Sequence, residues 1–434
     1  MCRACGYTTG ELVERGLDKL PDELVSNTHL VYSSPATLAY NSPGAEGFGV
    51  KRAGLAIPGS IMLIVAPGCC GRNTSIVSEM RAYDGRFFYL TMDTTDIVTG
   101  RHLKRIPEAV STIVSSLSTP PSVVMICITC VDALLGTDME RVSKKCEEAA
   151  GVPVRPCYMY ALTREGRRPP MVHVRQSLYS MLEPLPKRGT SVNVLGYFAP
   201  LESDCELFGY LASIGVKAIR QVGAAKDFDD FLHMAEANFN LVLNPEARLA
   251  AADFEKRLGI PSIELVRLHD PERIHSQYVA LGKVLGTSFD DTEDLERALK
   301  VREDFKTKYP DLTFALGECA NADPFELALS LTRAHFSVRE VFGTITSENE
   351  AFVKRLADVA PDLMVYSNME PTMIHYDPTD CPVDVCVGKD ACYYHPEATH
   401  VPWNQDVQPF GYTGMVHLFE ALDEALAAHT MKEA

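Results

Sequence analysis

The chain has 434 residues, more than one hydrophobic core usually serves, so we predict two to four domains. Its net charge of −17 argues against a nucleic-acid partner. No apolar run approaches the roughly 20 residues of a membrane-spanning helix, so no membrane partner is expected. Thirteen cysteines without an apolar leader favour a reducing cytoplasm over a disulfide framework, and grouped thiols there are usually metal ligands or redox groups.

Short apolar runs predict buried parallel strands along most of the chain. These runs lie at residues 60–65, 86–92, 122–129, 192–198, 239–244, 312–317 and 362–367. Longer amphipathic segments, such as "DCELFGYLASIG", separate them and predict helices. Strand and helix alternating at this spacing indicate βαβ units and an α/β fold with parallel sheets.

Two segments share one layout of strand, glycine, loop, helix, strand and glycine. The glycines are Gly196 and Gly223 in the first segment, and Gly317 and Gly343 in the second. We therefore predict doubly wound units that begin near residues 191 and 311, and a third between about 50 and 160. Turn-forming residues at 183–191 and 308–311 mark the boundaries. The predicted domains are 1–185, 191–308 and 311–434, the last with a C-terminal helix.

Nucleotide-binding signatures are missing from the sequence. The glycines at 47–54 follow no strand and do not form GxGxxG, and no GxxxxGK[ST] motif occurs. If the protein uses ATP, another polypeptide is expected to hydrolyse it.

Cysteines follow two of the predicted strands. Cys69 and Cys70 come after the strand at 60–65, and Cys130 comes after the strand at 122–129. Ligands gather at the carboxyl ends of parallel strands, so these thiols should meet in one crevice if both strands share a sheet. Thiolates favour iron–sulfur clusters, zinc or copper(I). Cys127 has C-x2-C spacing with Cys130 but faces the other side of the strand, so a zinc knuckle would require a turn that the apolar run does not suggest. A core thiol is one interpretation of Cys127.

Two further groups have both a chemical and a structural interpretation. Cys2 and Cys5 have the spacing of a zinc knuckle, but no second pair accompanies them, and free thiols at a frayed terminus are an equal alternative. Asp96 in "MDTTD" could supply protons near the strand ends. Helix capping is the favoured interpretation of this motif.

The segment "GKDACYYHPEATHVPW" at 388–403 concentrates chemically active side chains. Cys392, His395 and His400 could line a substrate pocket or hold a second metal. A loop that closes onto the third domain, with ordinary hydrogen-bonded histidines, is an equal alternative.

The order of these segments resembles that of the nitrogenase component 1 proteins. The resemblance rests on "APGCCG" after an apolar strand, "VVMICITCVDALLGTD", "FEKRLGIPSIEL" and the C-terminal "QPFGYTGMVHLFEAL", and runs from about residue 35. The family includes nitrogenases, protochlorophyllide reductases, nickel-sirohydrochlorin reductive cyclases, methylthio-alkane reductases and cofactor-assembly scaffolds. The resemblance implies three Rossmann-like domains around a central cleft and an iron–sulfur cluster at an interface with a like subunit.

The resemblance assigns ligands residue by residue. The family's glycine-linked cysteine falls on Cys69 or Cys70, and Cys130 matches the cysteine before the "LLGTD" turn. A further family cysteine would fall near Ser42, where this chain has none. A [4Fe–4S] cluster shared by two subunits needs two cysteines from each. A P-cluster-like eight-iron cluster would need Cys2, Cys5 or both neighbours at 69–70 as replacements.

The resemblance implies a reductase subunit that receives electrons from a separate ATP-hydrolysing iron protein and reduces an unidentified substrate. The subunit would form a homodimer, a heterodimer or a heterotetramer with a like chain. The molybdenum nitrogenase cofactor cysteine would lie near Leu243 and Asn244, where no cysteine occurs. A non-catalytic scaffold for cofactor assembly is therefore the main alternative. A metabolite-binding α/β protein with incidental cysteines is the third.

Overall fold

The computed structural model of the protein describes residues 3–25, 49–68, 83–159 and 169–433. The strands in these segments are β1 Gly6–Thr8, β2 Ile61–Ala66, β3 Phe87–Thr91, β4 Val124–Ile128, β5 Val154–Tyr158, β6 Arg188–Leu195, β7 Ala218–Arg220, β8 Ala237–Val242, β9 Ser262–Glu264, β10 Thr313–Gly317, β11 Ser337–Phe342, β12 Met364–Tyr366, β13 Val385–Val387 and β14 Thr399–Val401. All seven strands predicted from apolar runs are present.

The helices of the same segments are α1 Thr9–Arg15, α2 Val50–Ala53, α3 Thr94–Thr99, α4 His102–Ser116, α5 Cys130–Leu135, α6 Met139–Ala150, α7 Pro170–Tyr179, α8 Glu206–Ser213, α9 Phe228–Leu232, α10 Arg248–Leu258, α11 Pro271–Leu285, α12 Thr292–Lys308, α13 Pro324–Arg333, α14 Glu350–Val359, α15 Lys389–Tyr394 and α16 Gly411–Glu433. Within the described segments, none of these helices is both long and apolar enough to cross a membrane.

Contacts group the chain into two compact units. The first unit comprises Pro43–Pro200 and Val216–Glu264 and contains two sheets, sheet 1 and sheet 2. The second unit comprises Met1–Ser42, Leu201–Gly215 and Leu265–Ala434 and contains sheet 3.

Sheet 1 is fully parallel, with the strand order β3-β2-β4-β5. Every residue of the two central strands, β2 and β4, is buried, as parallel strands covered on both faces require. Leu63 and Val65 belong to the hydrophobic cluster that includes Ile106 and Val110 of α4. Met62 belongs to the second cluster, which also contains residues of sheet 2. The predicted parallel strands therefore form the core of this unit.

Sheet 2 is also parallel and has the order β7-β6-β8-β9. Gly196 follows β6 with a φ of +134°, and a Cβ at this position would lie 2.8 Å from the backbone nitrogen of Asn244. Only glycine accommodates both the positive φ and this close approach. This geometry explains why the first glycine of the repeated strand, glycine, loop and helix layout is needed at position 196.

Sheet 3 has the order β1-β12-β11-β10-β13-β14, in which only β1 is antiparallel to its neighbour. Gly6 of β1 pairs with Tyr366 of β12. Residues 6–8 belong to the predicted N-terminal domain 1–185, and their backbone hydrogen bonds add an edge strand to sheet 3. The domain boundaries at 185–191 and 308–311 stay a prediction, as does the central cleft.

Candidate functional site

The carboxyl ends of β2 and β4 lie side by side in sheet 1. Val65 of β2 is the register partner of Ile128 of β4, and neighbouring strands lie about 4.8 Å apart. Cys130 comes two residues after Ile128. The condition that both cysteine-bearing strands share one sheet is therefore confirmed. Cys69 and Cys70 lie outside the described residues, so the meeting of their sulfurs with Cys130 stays a prediction.

Cys130 and Cys127 occupy different environments, as their positions on the strand predict. Cys130 is the first residue of α5 and is half-buried. Cys127 lies within β4, is fully buried and belongs to the same hydrophobic cluster as Cys157. A hydrogen bond with Cys127 and burial raise the pKa of the Cys157 thiol. Cys127 and Cys157 are therefore core thiols, whereas Cys130 lies at the sheet edge.

A buried histidine–carboxylate pair includes Asp132, which lies two residues after Cys130 in α5. His102 Nε2 is 2.9 Å from Asp132 Oδ1, which also accepts a 2.9 Å hydrogen bond from the Thr137 hydroxyl. His102 Nδ1 is 3.0 Å from the carbonyl oxygen of Asp96 and must carry hydrogen, because a carbonyl only accepts. This pair was not predicted from the sequence.

Two buried oxygens around Cys130 lack hydrogen-bond partners in the described part of the chain. They are Oγ1 of Thr129, which precedes Cys130, and Oδ2 of Asp132 in the first turn of α5. Buried polar atoms are normally paired, so each unpaired one requires an explanation. The Thr129 hydroxyl is available to donate to a thiolate or sulfide at this edge, so Thr129 fits a metal–thiolate group, whereas Asp132 Oδ2 can only accept.

Asp96 has the structural role that the sequence analysis favoured. It forms a capping box with Asp93, the residue that caps α3. Arg101 Nε and Arg105 Nη1 each lie 2.6 Å from its carboxylate. The hydrogen bond from Arg101 is the main cause that holds the pKa of Asp96 below its ordinary value. Asp96 is therefore ionised at neutral pH, which is unfavourable for a proton donor.

Cys5 is part of the sheet 3 unit. Its backbone nitrogen donates to Thr372 Oγ1 over 2.9 Å, and its sulfur is 3.7 Å from the Tyr7 hydroxyl. Cys2 lies outside the described residues. Ligation of a cluster by either cysteine stays a prediction.

Three side chains of sheet 3 form a compact thiol–imidazole cluster. Cys386 of β13, Cys392 of α15 and His400 of β14 place one potential ligand atom each within 4.8 Å of one another. The two sulfur atoms are 3.2 Å apart. The structure thus brings together two of the three residues predicted at 388–403. Cys386 was missed, because its place beside His400 depends on the register of β13 and β14.

His395, the third predicted residue, belongs to a separate buried network. Its Nε2 lies 2.9 Å from both Glu340 Oε2 and the Tyr376 hydroxyl, and that hydroxyl donates to Glu340 over 2.6 Å. Burial and the charge of Glu340 raise the pKa of Tyr376. His395 therefore joins a hydrogen-bonded network inside the unit and lies apart from the thiols.

An acidic pair lies at the point of sheet 3 where the strand order reverses, between β10 and β13. Asn368 donates to Glu318 Oε1 over 3.0 Å and to Asp390 Oδ2 over 2.7 Å. Burial and the nearby charge of Glu318 raise the pKa of Asp390 to about 7. A Cβ on Gly317 would lie 1.9 Å from Asp390 Oδ1, so glycine is required there. Ligands bind at such reversal points in open α/β sheets.

Fold and site together define an α/β protein with parallel sheets and a half-buried thiol, that of Cys130, directly after the carboxyl end of β4. Residues 46–427 match the family described as "Nitrogenase component 1 type Oxidoreductase". The chain belongs to this family. Members of the family are oxidoreductases that bind iron–sulfur clusters and assemble with partner subunits.

Individual proteins are similar over different extents of the chain. The "Nitrogenase iron-molybdenum cofactor biosynthesis protein NifE" of Klebsiella pneumoniae is 25% identical over 213 residues, which cover 45% of this chain. The alignment spans only 46% of that relative, about half its length.

Two solved structures share the fold. "Nitrogenase Cp1 at pH 6.5" superposes with a TM-score of 0.74 at 17% identity, covering 96% of this chain and 98% of that one. "Nitrogenase Cp1 at pH 5" gives a TM-score of 0.65 at 15% identity, with coverage of 94% and 92%. The predicted α/β fold with several parallel sheets is therefore confirmed.

Proposed function

We propose that the protein is a subunit of a nitrogenase-like reductase that holds an iron–sulfur cluster at the carboxyl edge of sheet 1. Cys130 and one or both of Cys69 and Cys70 would be the ligands. The register pairing of Val65 with Ile128 carries this proposal, because it makes two cysteine-bearing strands neighbours that end at the same level.

A [4Fe–4S] cluster shared with a like subunit fits the thiols that this edge offers. Each subunit would supply two thiolates, one from Cys130 and one from the 69–70 pair. The bound cluster would supply one-electron redox chemistry, with electrons from a separate ATP-hydrolysing iron protein. Thiolate ligation requires reduced cysteines, so we infer that the protein works in the cytoplasm.

The chain's own residues would hold Cys130 in place as a ligand. The His102–Asp132 contact joins α4 to the first turn of α5, the helix that begins at Cys130. Asp132 Oδ2 lacks a partner among the described residues and can accept another hydrogen bond. The contact would therefore fix the start of α5, and with it the position of Cys130.

A scaffold for assembly of a metal cofactor is the second candidate. Its support is the similarity to a protein whose name states cofactor biosynthesis, over nearly half of this chain. At the position of the molybdenum cofactor cysteine, Leu243 is buried and Asn244 accepts a hydrogen bond from the backbone of Glu246. This candidate would release a cluster to an acceptor protein and consume no substrate.

Anaerobic purification with iron, sulfide and EPR analysis tests the cluster. We expect loss of the signal in Cys130→Ala and in Cys69→Ala or Cys70→Ala. Cys127→Ala is the matched control, because it removes a core thiol of the same strand and should retain the cluster. Full retention in all three edge variants would refute the proposed ligands.

Turnover then separates the two candidates. With an iron protein, ATP and low-potential reductant, a reductase consumes electrons with substrate. A scaffold instead transfers its cluster to an acceptor protein.

A further inference from the structure

We propose that Cys386, Cys392 and His400 form a mononuclear zinc site, separate from the cluster at sheet 1. These residues lie on three consecutive elements of the chain, namely strands β13 and β14 of sheet 3 and the helix α15 between them. The site lies in a different compact unit from Cys130.

The sheet register places two of the ligands next to each other. Cys386 and His400 are register partners in the parallel strands β13 and β14. Residues paired in this way project from the same face of a sheet, side by side. A strand pair thus provides a rigid base for one thiolate and one imidazole.

A glycine turn brings the second thiol to the same place. Gly388 follows β13 with a φ of +101°, and the chain turns there into α15. Cys392 in this helix reaches a sulfur–sulfur distance of 3.2 Å from Cys386. Tetrahedral zinc with Zn–S bonds of about 2.3 Å separates two thiolates by about 3.8 Å. Binding of a zinc ion would therefore require the two sulfur atoms to move only slightly further apart.

The imidazole has the hydrogen-bonded arrangement of a metal ligand. His400 Nε2 lies 2.9 Å from the carbonyl oxygen of His395, which can only accept, so Nε2 carries the hydrogen. The other ring nitrogen, Nδ1, then keeps the lone pair that a metal needs. Ligating histidines usually donate their second ring nitrogen to a carbonyl or carboxylate in this way.

The softness of the ligand atoms indicates which ion the site binds, and the exposure of His400 indicates where the fourth ligand lies. Two thiolates and one imidazole favour zinc among divalent ions, and the two thiolate charges balance the ion. Both cysteines are buried, whereas His400 is exposed. The open coordination position would therefore face solvent and hold a water molecule or an external ligand.

Metal analysis of the full-length protein tests the site. We expect one equivalent of zinc that persists in Cys130→Ala, and cobalt(II) substitution that produces a thiolate-to-cobalt charge-transfer band. Both should be lost in the Cys386→Ser, Cys392→Ser double variant. His400→Ala alters an exposed side chain, so it should fold and bind zinc at least about tenfold more weakly. Cys381→Ser, which removes a half-buried thiol outside the cluster, is the matched control and should bind zinc normally.

Two outcomes would overturn the proposal. One is zinc and cobalt binding by the double variant and His400→Ala that equals that of the unaltered protein. The other is a Cys386–Cys392 disulfide which, once reduced, leaves a protein that binds neither ion.

Discussion

The imidazole of His102 lies 2.9 Å from the carboxylate of Asp132, and both side chains are fully buried. They come from different helices, α4 and α5, so their contact joins α4 to the start of the helix that carries Cys130. Neither residue stood out in the sequence, because 30 positions separate them.

Asp132→Ala should destabilise the protein by about 2–4 kcal/mol, because it leaves both the buried His102 ring and the Thr137 hydroxyl without their shared partner. Thr137→Val removes only one neutral hydrogen bond to the same carboxylate and should cost about 1 kcal/mol. Urea unfolding of both variants gives the comparison. Equal losses would show that the pair contributes no more than an ordinary hydrogen bond.

Thiol labelling should separate the edge cysteine from the core cysteines. After removal of bound metal, the half-buried Cys130 should react with iodoacetamide in the folded protein. Cys127 and Cys157 should resist, because both are buried and burial raises the pKa of Cys157. Mass spectrometry of peptides from native and unfolded protein measures the three rates. Labelling of Cys127 as fast as that of Cys130 would contradict the assignment of Cys127 to the core.

The unfolding free energy should fall as the pH rises from about 4 to about 7. Asp390 has a pKa of about 7 in the folded protein and an ordinary value of 3.8. Within this window the unfolded chain loses the proton first, so rising pH favours unfolding. Glu318→Gln removes the neighbouring charge, should lower the pKa of Asp390 and should make this decline smaller. Denaturant titrations at several pH values provide the test, and identical pH profiles would count against the coupling.

Gly317→Ala should destabilise sheet 3 by about 1–3 kcal/mol or more, since the added methyl group overlaps Asp390 Oδ1. Gly209→Ala is the matched control: this glycine lies in α8, where a Cβ would meet no atom within 4 Å. That control should gain about 0.5–1 kcal/mol from the better helix propensity of alanine. Thermal unfolding of the pair measures the difference. A neutral effect of Gly317→Ala would argue against close packing at this strand reversal.

The sequence predicted the central strands well, because continuous apolar runs such as that at 122–129 are typical of buried parallel strands. Short strands such as β13 and β14 were missed, because no longer apolar run surrounds their three residues as one does for β12. The position of Cys130 at the sheet edge was predictable, because the apolar run at 122–129 ends directly before it. The partnership of Cys386 with His400 depends on strand register, which no spacing along the chain reveals.

The pairing of Gly6 with Tyr366 sets an order of events during biosynthesis. A ribosome that adds 5–20 residues per second needs about 20–70 s to proceed from β1 to β12. Through that interval β1 has no strand to pair with, whereas all four strands of sheet 1 have already emerged. Docking of the amino-terminal strand is therefore a late step, and until then the nascent segment around Cys5 stays accessible to chaperones and oxidants.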